Sequence, residues 1–109
     1  CKNKNMEVRF FDEKVKQFVN DLEMPTSAKV FRMFELLERF GHTLGMPHSR
    51  HIGRGLCELR VRGIHEVRIF YTFYHDMALL LHGFIKKTPR IPDKELELAR
   101  RKLSTLDRI

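Results

Sequence analysis

Arg60, Arg68, Lys86 and Lys87 all sit within or at the end of apolar, strand-like runs, and Glu58 shares the first run with Arg60. Guanidinium groups fork onto phosphate oxygens and ammonium groups add point charge, so cations held on one rigid face suit phosphate or a phosphoryl transition state. A carboxylate among them acts as a base or orients an arginine. The six histidines suggest a metal site or a general acid. His48 and His51 are three apart but have no Cys or carboxylate beside them, which argues against a metal. His82 lies inside an apolar run, where a lone imidazole is either a hydrogen-bonded core residue or an acid. The sequence has no Gly-rich phosphate loop, Cys/His nucleophile pattern or paired-carboxylate spacing, which removes support for nucleotide hydrolases, thiol enzymes and glycosidases.

The elements that must position these groups follow from periodicity. Leu56–Arg62, His65–Tyr74 and Met77–Lys86 are rich in Val, Ile, Leu, Phe and Tyr and are separated by Gly63 and a His75-Asp76 turn, so they read as three antiparallel strands. Alternation puts Cys57, Leu59 and Val61 on one face, with Glu58, Arg60 and Arg62 on the other. It likewise sets Val67, Ile69, Tyr71 and Phe73 against Glu66, Arg68, Phe70 and Thr72. Glu58, Arg60 and Arg68 then share a face, expected to be free of helices and joined by Lys86 and Lys87 at one edge. A solvated face with Glu58 paired across to an arginine is the plainer reading of the same pattern.

Upstream, Glu7–Phe11 reads as a strand, and Asp12 caps a helix whose apolar positions are Val15, Phe18, Val19 and Leu22. After Pro25, Thr26 or Ser27 can cap a second helix with Val30, Met33, Phe34, Leu37 and Phe40 on its stripe, ending at Gly41. Gly41–Gly55, with four Gly and three His, has loop composition. Pro92 and Asp93 open a last helix with Leu96, Ala99, Leu103 and Leu106 on one face and Glu95, Arg101 and Lys102 directed away from it. The expected fold is α+β: a four-stranded, mainly antiparallel sheet with helices on one face, in the order β-α-α-β-β-β-α.

Composition sets the outer bounds. A chain of 109 residues, 42% hydrophobic, can bury one core, so residues 1–109 are expected to form a single domain. Its 21 Lys and Arg against 14 Asp and Glu give a net charge of +7, which points to phosphate or to an acidic protein surface. Two cysteines, Cys1 and Cys57, make a disulfide framework improbable, and no apolar run reaches membrane-spanning length, so a reducing, cytoplasmic setting is expected. Cys1–Asn5 read as a remnant of processing or cloning.

Several of these segments together resemble a family. Gly55-Leu56-Cys57-Glu58-Leu59-Arg60, Val67-Arg68-Ile69-Phe70-Tyr71, Leu80 to Thr88, and Pro92 followed by a helix with Glu95, Ala99 and Arg100 are similar to the phage-related HigB branch of the RelE/ParE toxins. The resemblance spans Gly53 to Leu106. It implies a toxin paired with a helix-turn-helix antitoxin, which enters the ribosome and cleaves mRNA by attack of a 2′-hydroxyl on the adjacent phosphate, with no cofactor or metal. Arg68 matches the family's R-I-x-Y arginine, implied to stabilise the phosphorane. Lys86 and Lys87 match its F-x-K-K segment, implied to hold phosphate or donate a proton. Glu58 and Arg60 match E-L-R, with Glu58 either a base or an orienting group. His82 matches L-L-H, where acid catalysis and strand packing both remain open. Arg50, Arg54 and Arg62 are the further candidate RNA or phosphate contacts. Cys57 stands where the family commonly has Trp, so its neighbours are expected to fill the space. Two other readings stay in view, a ParE-type or degenerate relative that binds a protein such as gyrase, and a basic nucleic-acid-binding module without catalysis.

Overall fold

A computed structural model describes residues 6–106; Cys1–Asn5 lie outside that range. The elements are β1 Glu7–Phe10, α1 Glu13–Asn20, α2 Thr26–Phe40, β2 Ser49–Gly53, β3 Leu56–Val61, β4 Val67–Tyr74, β5 Met77–Ile85 and α3 Asp93–Ser104. Asp12 is extended and accepts a hydrogen bond from the Val15 amide at 3.1 Å, which starts α1 by satisfying a donor that has no helical partner. The second helix differs from expectation at its start: Pro25 precedes it with no side-chain cap, and Thr26 is buried inside the first turn. It ends as expected at Gly41, whose φ of 52° suits a residue without Cβ. Val15 and Val19 of α1 pack with Val30, Met33, Phe34 and Leu37 of α2 over one face of the sheet, meeting Leu59, Ile69, Tyr71 and Leu80.

The sheet has five strands rather than four, in the order β1-β5-β4-β3-β2, with β1 parallel to β5 and the other pairs antiparallel. The additional strand is β2, from the segment whose composition reads as loop. An edge strand buries little, and here the alternation signal shrinks to Ser49, whose hydroxyl meets that of Tyr71 in the core. Arg54 and Gly55, both at positive φ, form the tight turn from β2 into β3.

The helices also occupy both faces, not one. Leu56, Phe70, Leu79, Leu81 and Phe84 make the centre of the second face apolar, and α3 covers it with Leu96, Ala99, Leu103 and Leu106. Burying that patch removes it from water, which a helix-free face would not do. A bulge in β5 shapes this layer: Phe70 pairs with His82 and Tyr71 with Leu80, leaving Leu81 as the extra residue. His82 is thereby turned toward α3 instead of into the α1/α2 core. The Lys102 ammonium donates to the freed Leu81 carbonyl at 2.9 Å and pairs with Asp12 at 3.1 Å, so it points at the sheet, contrary to its expected outward position.

Burial opposes ionisation of Asp12, but the Val15 amide and Lys102 outweigh it and hold the carboxyl below its ordinary pKa. Asp12→Ala should cost about 1 kcal/mol through the lost cap, whereas Asp12→Asn keeps the cap and should cost less. Because the folded pKa is depressed, the ionic part is present above about pH 4 and lost as pH falls through the folded value. Urea unfolding of the parent and Asp12→Asn should therefore converge on acidification.

Candidate functional site

The register of β3 and β4 places Arg60 directly opposite Arg68. Like charges facing across a ladder repel, so this pairing needs nearby counter-charge. Glu58 supplies it for Arg68 from the same face of β3. Its carboxylate is 1% exposed and lies 3.4 Å from one Arg68 terminal nitrogen, while the other terminal nitrogen meets Glu66 at 3.0 Å. The second oxygen of Glu58 is 3.8 Å from Arg50 Nε across the β2 ladder. Glu58 thus orients Arg68 and Arg50, not Arg60.

Arg60 has no carboxylate partner among the described residues; a terminal nitrogen contacts the Met46 sulfur at 3.7 Å. The Nε atoms of both Arg60 and Arg68 are buried without a hydrogen-bond partner. Both arginines line a pocket of about 420 Å³ whose other cations are Arg50, Lys86 and Arg90 and whose carboxylates are Glu58 and Asp93. Cations remain in excess even with Glu66 counted. Lys86 is held at the rim by its ammonium donating to the Pro89 carbonyl at 3.0 Å. Phosphate-sized anions fit the charge and the donor geometry.

The shared face of Glu58, Arg60 and Arg68 is as expected, but it is not free of helix cover. Ile91 and Leu96, at the start of α3, form part of the pocket wall, and Arg68 is 5% exposed rather than solvent-facing. Of the other predicted residues, Arg50 and Lys86 join the pocket. Lys87 is exposed beyond β5 and does not line it. Arg54 lies in the β2–β3 turn and lines a separate cleft with Arg100. Arg62 borders a groove against α2.

His82 is likewise outside the pocket. The bulge aims its ring at α3, where Nε2 lies 2.6 Å from a Glu95 carboxylate oxygen and the ring stacks on Phe84. Glu95, expected to point away, is instead the partner that fixes this imidazole.

Sequence reasoning missed Arg90, Asp93 and Ile91 as pocket residues. Arg90 and Ile91 lie in a connection with no periodicity and Asp93 at the first turn of α3, although Glu66 was legible as a neighbour of Arg68 on its own face. Elsewhere, Cys57 stands opposite Tyr71 on β4, and the two line a cavity of about 540 Å³, so the neighbours do not close over this position as expected. Burial pushes the Cys57 thiol up and raises the Tyr71 phenol to about 12, so neither is ionised near neutrality.

Residues 17–104 match the family described as Phage derived protein Gp49-like (DUF891), and the chain belongs to that family, which is associated with RelE-like toxins of toxin–antitoxin systems. The matched range contains every pocket residue. No match was found among curated proteins.

The different partners of the two arginines predict different costs. Arg68→Ala strands the buried Glu58 charge and should destabilise by about 3 kcal/mol. Arg60→Ala breaks no ion pair and should cost under about 1 kcal/mol. Chemical unfolding of both variants checks this; equal costs would contradict the pairing.

Proposed function

We propose that this Gp49-like protein is the toxin of a toxin–antitoxin pair and acts as an endoribonuclease on mRNA in the ribosome. The observation that carries the reading is the pair of cross-strand guanidiniums that line, together with Lys86, one pocket in which cations are in excess. A surface that only docks on another macromolecule gains little from holding like charges together at a desolvation cost. A reaction that accumulates negative charge at one phosphorus gains much.

In this reading the 2′-hydroxyl of a bound nucleotide gives its proton to solvent water as its oxygen attacks the adjacent phosphate. The phosphorane carries extra negative charge, which the guanidiniums of Arg60 and Arg68 offset, and the 5′-oxygen leaves to give a cyclic phosphate. Lys86, next to the rim, is placed to neutralise or protonate that leaving oxygen. Glu58 holds Arg68 in position and has both oxygens engaged, so it is a positioning residue rather than a proton acceptor. Charge stabilisation therefore carries most of the rate, and RNA is required because DNA lacks the nucleophile. The ribosome supplies what a shallow pocket does not, a strand already splayed and aligned for in-line attack. A helix-turn-helix antitoxin is the proposed silencing partner, and the cytoplasm, where ribosomes are, the proposed setting.

Arg60→Ala is the informative variant, since its fold cost is small. Single-turnover cleavage on programmed ribosomes, without added metal, should slow by about 10²–10³-fold while ribosome binding changes by about tenfold or less. Free RNA should be cut poorly. A folded Arg60→Ala protein that cleaves like the parent would remove the pocket from the chemistry. A parent that binds ribosomes and never cleaves would favour the docking-protein reading instead.

A further inference from the structure

The cavity that Cys57 and Tyr71 line lies beside the edge strand β2, on the sheet face opposite the anion pocket. At about 540 Å³ it is of ligand size, and no carboxylate lines it. Two buried hydroxyls border it, Ser49 and Tyr71, 5% and 1% exposed and hydrogen-bonded to each other. Two hydroxyls carry two hydrogens and their contact uses one. One O–H donor is therefore left, with no further oxygen or nitrogen acceptor in reach among the described residues. Another part of the wall is aromatic, where the exposed His42 imidazole lies on Phe73 with ring centroids 3.9 Å apart. An exposed ring stacked on one side offers its other side to a further planar group.

Arg50 joins this cavity to the anion pocket, because it lines both from the edge strand that separates the two faces. A chain of alternating planar rings and phosphates matches that sequence of surfaces.

We propose that the cavity seats one base of the RNA strand whose phosphate occupies the anion pocket, and that it selects guanine over adenine. The base stacks on His42, the connecting phosphate meets Arg50, and the remaining hydroxyl hydrogen goes to guanine O6, where adenine carries an amino donor instead. An aliphatic side chain of a protein fits less well, since it leaves that donor unpaired. The assignment deepens the function proposed above and rests on RNA being the substrate.

The probes are 2′-O-methyl RNA trimers, which cannot be cut, differing only in a central guanine or adenine, together with guanosine monophosphate. Each is titrated into isotope-labelled protein and followed by NMR. Resonances of His42, Ser49, Tyr71 and Phe73 should shift, and the guanine trimer should bind at least about fivefold more tightly than the adenine trimer. Ser49→Ala with Tyr71→Phe removes both hydroxyls together and orphans neither, so the fold should persist while the two trimers bind equally. His42→Ala, at an exposed position, should weaken both trimers about 10-fold and keep the preference. Arg50→Ala should remove the advantage of the trimer over the monophosphate. No shifts at these residues, equal affinity for the two trimers in the parent, a preference that survives the double variant, or a monophosphate that binds as tightly as the trimer would each overturn the proposal. These readouts do not depend on cleavage. A protein that shows the preference but never cuts on ribosomes keeps the base seat and loses only the proposed activity. If the parent cuts, its cut sites should lie beside guanine and lose that bias in the double variant; unbiased cutting by the parent would overturn the base seat and leave the activity standing.

Discussion

The buried carboxylate of Glu58 constrains the whole polar end of the sheet. A charge removed from water must be paired, and Arg68 is the group that pairs it. That requirement locks the β3–β4 register, because a slip of one residue would send Glu58 into the α1/α2 core and Leu59 out of it. With the register fixed, Arg60 has no choice but to face Arg68. The excess positive charge is thus a product of strand geometry, sustained by one acid that is itself inaccessible. Removing Glu58 would leave the two arginines to repel each other uncompensated and loosen the fold, so the excess of cations and stability are bound to the same ladder.

The opposite end of that face is organised by backbone rather than charge. One extra residue in β5 reverses the alternation, carrying His82 to the α3 side and exposing a carbonyl that Lys102 claims. The His82–Glu95 contact and the Lys102–Asp12 contact then act at two points along α3. Since Ile91, Asp93 and Leu96 border the anion pocket, the seating of α3 sets the pocket's width. His82 acts on the pocket through that helix and not by direct contact.

What could be read from the sequence follows the strength of the periodic signal. Cys57, Leu59 and Val61 against Glu58 and Arg60 is a clean alternation, and it placed the central cations correctly. The α3 stripe of Leu96, Ala99, Leu103 and Leu106 was equally clear, but a helix pattern does not say which side of a sheet it will cover. The evidence for the second face lay in Leu79, Leu81 and Phe84, interleaved with first-face residues in a run apolar throughout. β2 escaped because one strand edge in solvent leaves Arg50 and His51 free to be polar. The bulge at Leu81 has no sequence mark at all, and with it went the true neighbour of His82. Arg90 and Ile91 reach the pocket from an aperiodic connection, where position depends on tertiary closure alone.

The parallel pairing of β1 with β5 joins Glu7 to Met77, about two thirds of the chain's length apart. Such a contact closes a large loop late in folding, after the local hairpins of β3, β4 and β5 are in place. During synthesis the first strand must wait for the fifth to emerge, and Lys86 and Arg90 emerge later still. A growing chain therefore carries Arg60 and Arg68 in an unfinished sheet, and the anion pocket is completed only once Leu96 of α3 has joined it. Completion of the pocket is in this way timed by the topology of the chain.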